Sequence, residues 1–587
     1  MTNWTSNKLL NYKRSENMKR DAIKFSEYPF VKPNIKKYEK KMTQFIEEFK
    51  TAKSADETAK ILKKLQKYSS EIGTQTSVIY VLYSCDTQNV KYAKAQEYLD
   101  EVSPIFAKYD TDITKILVNS PYRAELEKKF GSFLFKKMDL SLKTFDEKIM
   151  PELMKINKLS SEYDLIFGSA QIEFRGQTLN LSQLGKYMQD QDRETRKAAA
   201  KAMDKWLEEH EQRIGEIYGD LVKLRDEMAK KLGYKSYTEL GYYSLGRTDY
   251  NAEMVKGYRA QIAKEVVPLC QKLYKIQMKN LGIKKPQYYD YNLMFKSGNP
   301  LPAGDAKFLV AQAQKMYADL GPESKEFFDF MVKYELMDLE ARKGKAPGGY
   351  CTYFPKYKSP FIFSNFNGTQ GDVNVLCHEG GHAFQAYLSS CIKVPELQSP
   401  TLEACEIHSM SMEFFAWPYM DGFFGKDAEK YKYLHLVDSI EFLPYGITID
   451  EFQHWVYEHP NATHEERCAA YKEIENRYTP HKKYDDCPTL NKGTWWMRQS
   501  HIFGTPFYYI DYTLAQVVAF QFATENMKNH EKTWKKYIKL CKCGGKYPFL
   551  ELLEKNHLRN PFVDGNIRKV IRPLSKVLKE FDQSKLQ

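Results

Sequence analysis

One stretch of this chain departs from the pattern of all the rest. Between Lys343 and Asp372 (KGKAPGGYCTYFPKYKSPFIFSNFNGTQGD) lie five glycines and three prolines among many aromatics. Its segment PFIFSNF alternates in the way that suits a short strand. Directly after it, VNVLCHEGGHAFQAYLSS reads as a helix. Elsewhere the helical period dominates. Met42, Phe45, Ile46 and Phe49 fall at helical spacing, and so do Ile61, Leu62 and Leu65 behind a capping signal, Ser54-Ala-Asp-Glu57. A long helical run from SQLGKYM to MAKKLG ends at Gly233 and is expected to break near Gln191. Two prolines and two glycines in Lys296–Asp305 mark a loop, after which AKFLVAQAQKMYADLG resumes a helix. The expectation is a mainly α chain, with one small sheet set directly before a helix that carries ionisable side chains.

That helix contains His378-Glu379-Gly380-Gly381-His382. Positions i and i+4 share a helix face, so two imidazoles there can grip one Zn²⁺ at about 2.0–2.1 Å each. Glu379 lies about 100° around the helix. This sets its carboxylate beside the metal, where it can take a proton from a zinc-bound water. The plain alternative is a helix with two surface histidines. Two features weigh against it. The motif follows a strand and a loop, and two glycines sit mid-helix, where each costs about 1 kcal/mol relative to Ala. Close packing or an approaching substrate would call for so bare a surface.

Composition narrows the partners. A chain of 587 residues can bury a sizeable core and hold more than one domain. The net charge is +12, yet acids interleave with the lysines and no basic block occurs, so no nucleic-acid partner is expected. The 10 cysteines include no CxxC pair and read as free thiols of a reducing compartment. Residues 1–21 lack the apolar run of a signal peptide, and no stretch of 18 apolar residues occurs anywhere. A soluble cytoplasmic protein with no membrane contact is expected, either a monomer or a homo-oligomer.

A catalytic zinc site needs a third protein ligand and one open position. The cluster Thr401–Trp417 (TLEACEIHSMSMEFFAW) offers Glu403, Glu406, His408 and Glu413, and spacing alone does not choose among them. Here the chain resembles the M3 family of zinc metallopeptidases, and within it the oligoendopeptidase F and Pz-peptidase branch. The family pattern follows HExGH with a later glutamate, which implies Glu406 as the third ligand beside His378 and His382. Glu413 matches a second carboxylate of the motif and is read as support for a ligating histidine. Cys377 and Cys405 adjoin ligands in sequence and read as buried thiols. The resemblance continues through His501–Gln516 (HIFGTPFYYIDYTLAQ), which places His501, Tyr509 and Tyr512 over the metal and Tyr508 against substrate. The choice among the three tyrosines stays open, because the spacing from His501 differs by about one residue from the thimet-type form.

The resemblance implies two helical halves flanking a deep substrate channel, with a small sheet beside the HExxH helix. Residues 1–200 would form one wall and residues 201–587 the catalytic domain. It implies one Zn²⁺ per chain and an oligoendopeptidase that hydrolyses internal bonds of short unfolded peptides. Glu379 would be the general base, and His501, Tyr509 or Tyr512 would stabilise the oxyanion. Gly348 and Gly349 would admit the substrate backbone, and the strand Phe361–Phe366 is expected to add an extended substrate at its edge. Two other readings are kept: a non-catalytic peptide-binding protein, and an M3-like dipeptidyl carboxypeptidase with Arg498 as the group for the substrate terminus.

Overall fold

The computed structural model describes Arg20 and residues 22–586. The N-terminal segment read above for a targeting signal lies outside that range, apart from Arg20. Three long helices come first: α1 (Ile35–Thr51), α2 (Ala55–Cys85) and α3 (Val90–Val118). Ser54 caps α2 by accepting the Glu57 N–H, and the Glu57 carboxylate takes the Lys53 N–H at 2.7 Å. Apolar stripes of the three helices meet in a small core of Tyr38, Met42, Phe45, Phe49, Ile61, Leu62, Ile113 and Leu117. Ile392 and Leu397, from far along the chain, close this core. The second half of α2 leaves it: Val78 and Val81 belong to the main core, which runs on as far as Leu586.

The expected break near Gln191 is a real interruption. A short helix ends at Tyr187, and α4 (Arg193–Lys231) restarts behind Asp192, whose carboxylate accepts the Thr195 N–H. Before it, Ile172–Phe174 and Gln177–Leu179 form a two-stranded hairpin (β1, β2) that the sequence reading did not anticipate. Its turn is Arg175-Gly176, both at positive φ, as a type I′ hairpin requires. Further along, α5 (Ala306–Leu320) follows the Gly/Pro loop with Asp305 as its cap.

The central sheet has three strands, β3 (Met337–Glu340), β4 (Tyr350–Phe354) and β5 (Ser359–Phe366), in the order β3–β5–β4. β5 pairs parallel with β3 and antiparallel with β4. This corrects one expectation. The strand Phe361–Phe366 lies in the middle of the sheet, both its edges are taken, and it has none to offer a substrate. The strand with a neighbour on one side only, near the HExxH helix, is β4. The central place of β5 also explains why residues 359–364 are all buried rather than alternating.

Next come α6 (Gly371–Ser389), α7 (Leu402–Phe415), α8 (Ala428–Glu458), the short α9 (Ser500–Gly504) and α10 (Tyr509–Asn526). No helix among the described residues is long and apolar enough to cross a membrane. Asp372, in the first turn of α6, accepts the N–H groups of Asn367 and Gly368 at 2.9 and 2.8 Å, which locks the loop after β5 onto the helix. The two mid-helix glycines serve packing. A Cβ on Gly380 would collide with the Tyr317 hydroxyl of α5, and one on Gly381 would lie 2.6 Å from the His408 carbonyl oxygen of α7.

Gly381→Ala therefore sets two effects against each other. Helix propensity gains about 1 kcal/mol, but the methyl group meets backbone, which cannot rotate away. Overpacking of about 1–3 kcal/mol wins. Urea unfolding of the metal-free protein is expected to show net destabilisation, and an unchanged or raised midpoint would contradict the packing argument.

Candidate metal centre

α6 presents His378 and His382 on one face, with ring centroids 5.0 Å apart. α7 crosses beside it and brings Glu406 to both. Glu406 Oε2 lies 3.2 Å from His378 Nε2 and 3.3 Å from His382 Nε2. One donor atom from each of the three residues falls within 4.8 Å of the others, the only such group of three or more His, Cys, Asp or Glu among the described residues. Two imidazoles and one carboxylate are a donor set that suits zinc, so the residues present fit a metal of that kind.

Hydrogen bonds behind the donors aim them. His378 Nδ1 lies 2.8 Å from Glu413 Oε1, which leaves Nε2 for the metal. Glu413 Oε2 lies 2.6 Å from His435 Nε2 on α8. The Trp417 indole N–H donates to His435 Nδ1 at 3.0 Å. An indole can only donate, so His435 must carry its own proton on Nε2 and give it to Glu413. Burial raises the Glu413 pKa, yet the hydrogen bonds from His378 and His435 outweigh it and bring it to about 2. Glu406 is held by Ser409 Oγ at 3.0 Å and by the Tyr508 hydroxyl at 2.5 Å.

The open choice on α7 resolves by position. His408 is buried with both ring nitrogens unpaired, and burial lowers its pKa to about 3. Glu403 is buried beside Asp511 and Arg247, and burial pushes it up to about 8. Neither belongs to the His378–His382–Glu406 group. Cys377 is buried and Cys405 partly so, both unbridged.

Glu379 is 7% exposed, and its Oε2 has no hydrogen-bond partner. Burial raises its pKa, with His378 and His382 pulling the other way. Gly349 lies against it: a Cβ there would sit 3.8 Å from Glu379 Oε1 and 3.4 Å from the Phe363 carbonyl oxygen. Gly348 is at φ +86° with open space around it.

The aromatic segment reaches the metal donors through Tyr508. Phe507 holds a left-handed φ of 66°, a strained state for a bulky residue. Gln453 accepts its N–H at 2.6 Å and Arg247 donates to its carbonyl at 2.7 Å, which over-determines the turn. From it α10 starts with Tyr509. Tyr508 is bound to Glu406, whereas the sequence reading set it against substrate. His501 Nε2 lies 3.3 Å from the Tyr512 hydroxyl. Tyr509 packs edge-on to Tyr445 and Phe442. Arg498 is exposed and stacks over Trp495 at 4.5 Å. Sequence reasoning missed His435, Trp417, Gln499 and Tyr445. His435 and Tyr445 carry no signal beyond being hydrogen-bonding residues on a largely apolar helix, Trp417 opens a short 3-10 turn and Gln499 lies between two short helical turns, and many core residues share such places.

A helix that carries HExxH, a glutamate from the next helix set against both histidines and a buried glutamate with one unpaired oxygen are the parts of a metallopeptidase site. Comparisons place it further. Residues 25–145 match the Peptidase M3 N-terminal domain and residues 186–570 match Peptidase family M3. The chain belongs to peptidase family M3. Among solved structures, one assigned as an oligoendopeptidase F is 45% identical over 96% of this chain and 100% of its own, with a TM-score of 0.95. Pz peptidase A with an inhibitor is 47% identical over 95% and 100%, with a TM-score of 0.94. An assigned oligoendopeptidase F from Bacillus anthracis is 44% identical over 96% and 100%, with a TM-score of 0.90. The search of curated proteins returned no match. The mainly α architecture of these relatives, with its channel, is the architecture of this chain.

Two measurements follow from the donor arrangement. Glu413→Gln removes one acceptor from the His378–His435 bridge and is expected to weaken metal binding by about 10–100-fold, read by competition with a chromophoric chelator. In the metal-free chain burial lowers the His378 pKa, but hydrogen bonds to Glu406 and Glu413 outweigh it and raise it well above the usual range. Metal binding must then displace that proton. Affinity is expected to rise about tenfold per pH unit up to that pKa, and a pH-independent affinity would contradict the assignment.

Proposed function

We propose that the chain is a zinc-dependent oligoendopeptidase that hydrolyses internal bonds of short, unfolded peptides, with His378, His382 and Glu406 holding one Zn²⁺. The observation that carries this reading is Glu379: a buried carboxylate with an unpaired oxygen beside a three-donor metal set. A peptide-binding protein that kept the metal as scaffold would have no use for it.

Zinc bound at these donors supplies Lewis-acid polarisation of a water and of the scissile carbonyl. Glu379 Oε2 accepts a proton as the water oxygen bonds to the carbonyl carbon. Its raised pKa suits a base that must then act as an acid. It returns the proton to the peptide nitrogen as the C–N bond breaks. The Tyr512 hydroxyl donates to the oxyanion that forms in between, with His501 behind it and Tyr509 flanking, and such a donor is worth roughly 2.7–4 kcal/mol. Tyr508 acts on the site through Glu406. Gly348 and Gly349 leave room for substrate backbone at the start of β4, the sheet edge near Glu379. The described residues up to 200 would make one wall of the channel and residues 201–586 the catalytic domain, with α4 running across the boundary. Ten unbridged cysteines suit a reducing, cytoplasmic setting.

The test is mass-spectrometric analysis of a peptide mixture of graded lengths after exposure to the zinc-loaded protein, with Glu379→Gln alongside. Internal cleavage of short peptides, lost in the variant by a factor of 10³ or so (about 4 kcal/mol of barrier), is expected. Release from one terminus only would favour the dipeptidyl carboxypeptidase reading, with the exposed Arg498 as the terminal anchor. Absence of cleavage would favour peptide binding alone. Gly349→Val is expected to raise KM or lower kcat at least tenfold, and normal kinetics would remove that glycine from the substrate path.

A further inference from the structure

Five arginines among the described residues are buried, and four of them have partners. Arg196, Arg247 and Arg259 pair with Asp290, Asp511 and Asp450, and Arg225 donates to the Ile502 and Phe503 carbonyls. Arg467 is the exception. It is 3% exposed, its Nε has no hydrogen-bond partner, and it makes no ion pair among the described residues. Burial works against its charge and lowers its pKa, but a guanidinium does not give up its proton. A buried cation left alone is a cost that packing does not repay.

Arg467 lines a groove of about 700 Å³ between α4 and the helix His464–Tyr478. Two glycines of α4, four residues apart and so on one face, let that helix come close. A Cβ on Gly215 would lie 2.7 Å from His464 Nδ1, and one on Gly219 would lie 3.2 Å from a terminal nitrogen of Arg467. The Tyr218 ring stands 5.8 Å from the guanidinium carbon. The fork therefore rests against bare backbone and an aromatic ring. None of the groove's residues belongs to the metal donors or to the aromatic segment.

The remaining charges restrict what the groove can take. Glu211 is held by His464 at 3.1 Å and by Lys492 at 2.7 Å, and Glu216 by Arg213 at 3.2 Å. Glu208, Asp220 and Glu465 line the groove without an ion pair among the described residues, and so does Lys223. A polyanion would meet three unpaired carboxylates. A single carboxylate fits the planar fork of a guanidinium in bidentate fashion, and a positive group on the same ligand would answer the acidic rim.

We propose that this groove is a second binding site, which takes the free carboxylate of an amino acid or of a peptide C-terminus on Arg467 and a positive group of the same ligand on the rim of Glu208, Asp220 and Glu465. The site stands whether or not the metal centre cleaves peptides.

The test is a titration of the zinc-loaded full chain carrying Glu379→Gln, so that no probe is consumed. In protein labelled with ¹⁵N-arginine, the Arg467 Nε signal is identified by its loss in Arg467→Met, or in Arg467→Lys should the first fold poorly. Glycyl-lysine is expected to move that signal saturably, with a Kd of about 1 mM or tighter. Glycyl-lysinamide, which lacks the carboxylate, is expected to bind at least about tenfold more weakly. N-acetylglycine keeps the carboxylate without the positive group and is expected to bind about threefold more weakly than glycyl-lysine. Asp220→Asn, an exposed change on the rim, is expected to remove that threefold advantage. Free lysine binding as well as glycyl-lysine would identify an amino-acid site, and weaker binding a peptide C-terminus; both support the proposal. A signal unmoved by about 20 mM glycyl-lysine overturns it. So does equal binding of the amide, or tighter binding of inorganic phosphate than of glycyl-lysine. Loss of the lone charge in Arg467→Met is expected to hold or raise the urea midpoint. A lowered midpoint together with an unresponsive wild-type signal would assign Arg467 to packing alone.

Discussion

The close approach of two helices at Gly381 sets the distances on which the metal centre depends. A Cβ at that position would lie 2.6 Å from the His408 carbonyl oxygen and 2.7 Å from the Ser409 Cα. Only a glycine lets the helix with the two histidines come so near the helix with Glu406. A carboxylate is short, and a three-donor set tolerates little slack. Had the helices packed at the 8–10 Å typical of larger side chains, a longer ligand would be needed, or the set would be incomplete. Gly380 makes the matching approach on the other side, against Tyr317. The HEGGH helix is thus gripped from both flanks by the two residues that weaken it as an isolated helix.

A second layer of order comes from a group that can only donate. Trp417 stands at the end of a hydrogen-bond chain that leads through His435 and Glu413 to His378. Imidazole and carboxamide groups are ambiguous about proton placement, and an indole is not. Attaching the ambiguous groups to an unambiguous one removes alternative states in which a ligand or donor would face the wrong way. Such networks are costly if half satisfied, and this one is closed at the indole end.

Much of this was legible in the sequence, for reasons that differ from residue to residue. Helical periodicity of Met42, Phe45 and Phe49 is a local property, and so are the Ser54 cap and the break near Gln191. The HExxH spacing is likewise local, because one helix turn brings both histidines together. Glu406 needed a resemblance, since Glu403, His408 and Glu413 offered the same chemistry on the same helix. The place of β5 could not be read. Whether a strand is central or at an edge depends on β3 and β4, which pair with it from either side. The short hairpin at Arg175-Gly176 escaped because three-residue strands carry too little pattern. His435 and Tyr445 lie tens of residues from the groups they bond, and only the packing of α8 brings them there, whereas Gln499 sits two residues before His501 with no sequence signal of its own.

The small N-terminal core, separate from the main one, has a consequence for how the protein comes apart. The N-terminal helices bury Tyr38, Met42, Phe45 and their neighbours in a cluster that the rest of the chain enters chiefly through Ile392 and Leu397. A cluster joined by so few apolar side chains need not share the cooperativity of the main core. Heating would then trace two calorimetric transitions, with the smaller cluster free to melt while the metal donors on α6 and α7 still stand. A single ΔG of unfolding would not describe such a chain. Its resistance to proteases would be that of its less stable part, and cleavage would begin in α1 and the first half of α2.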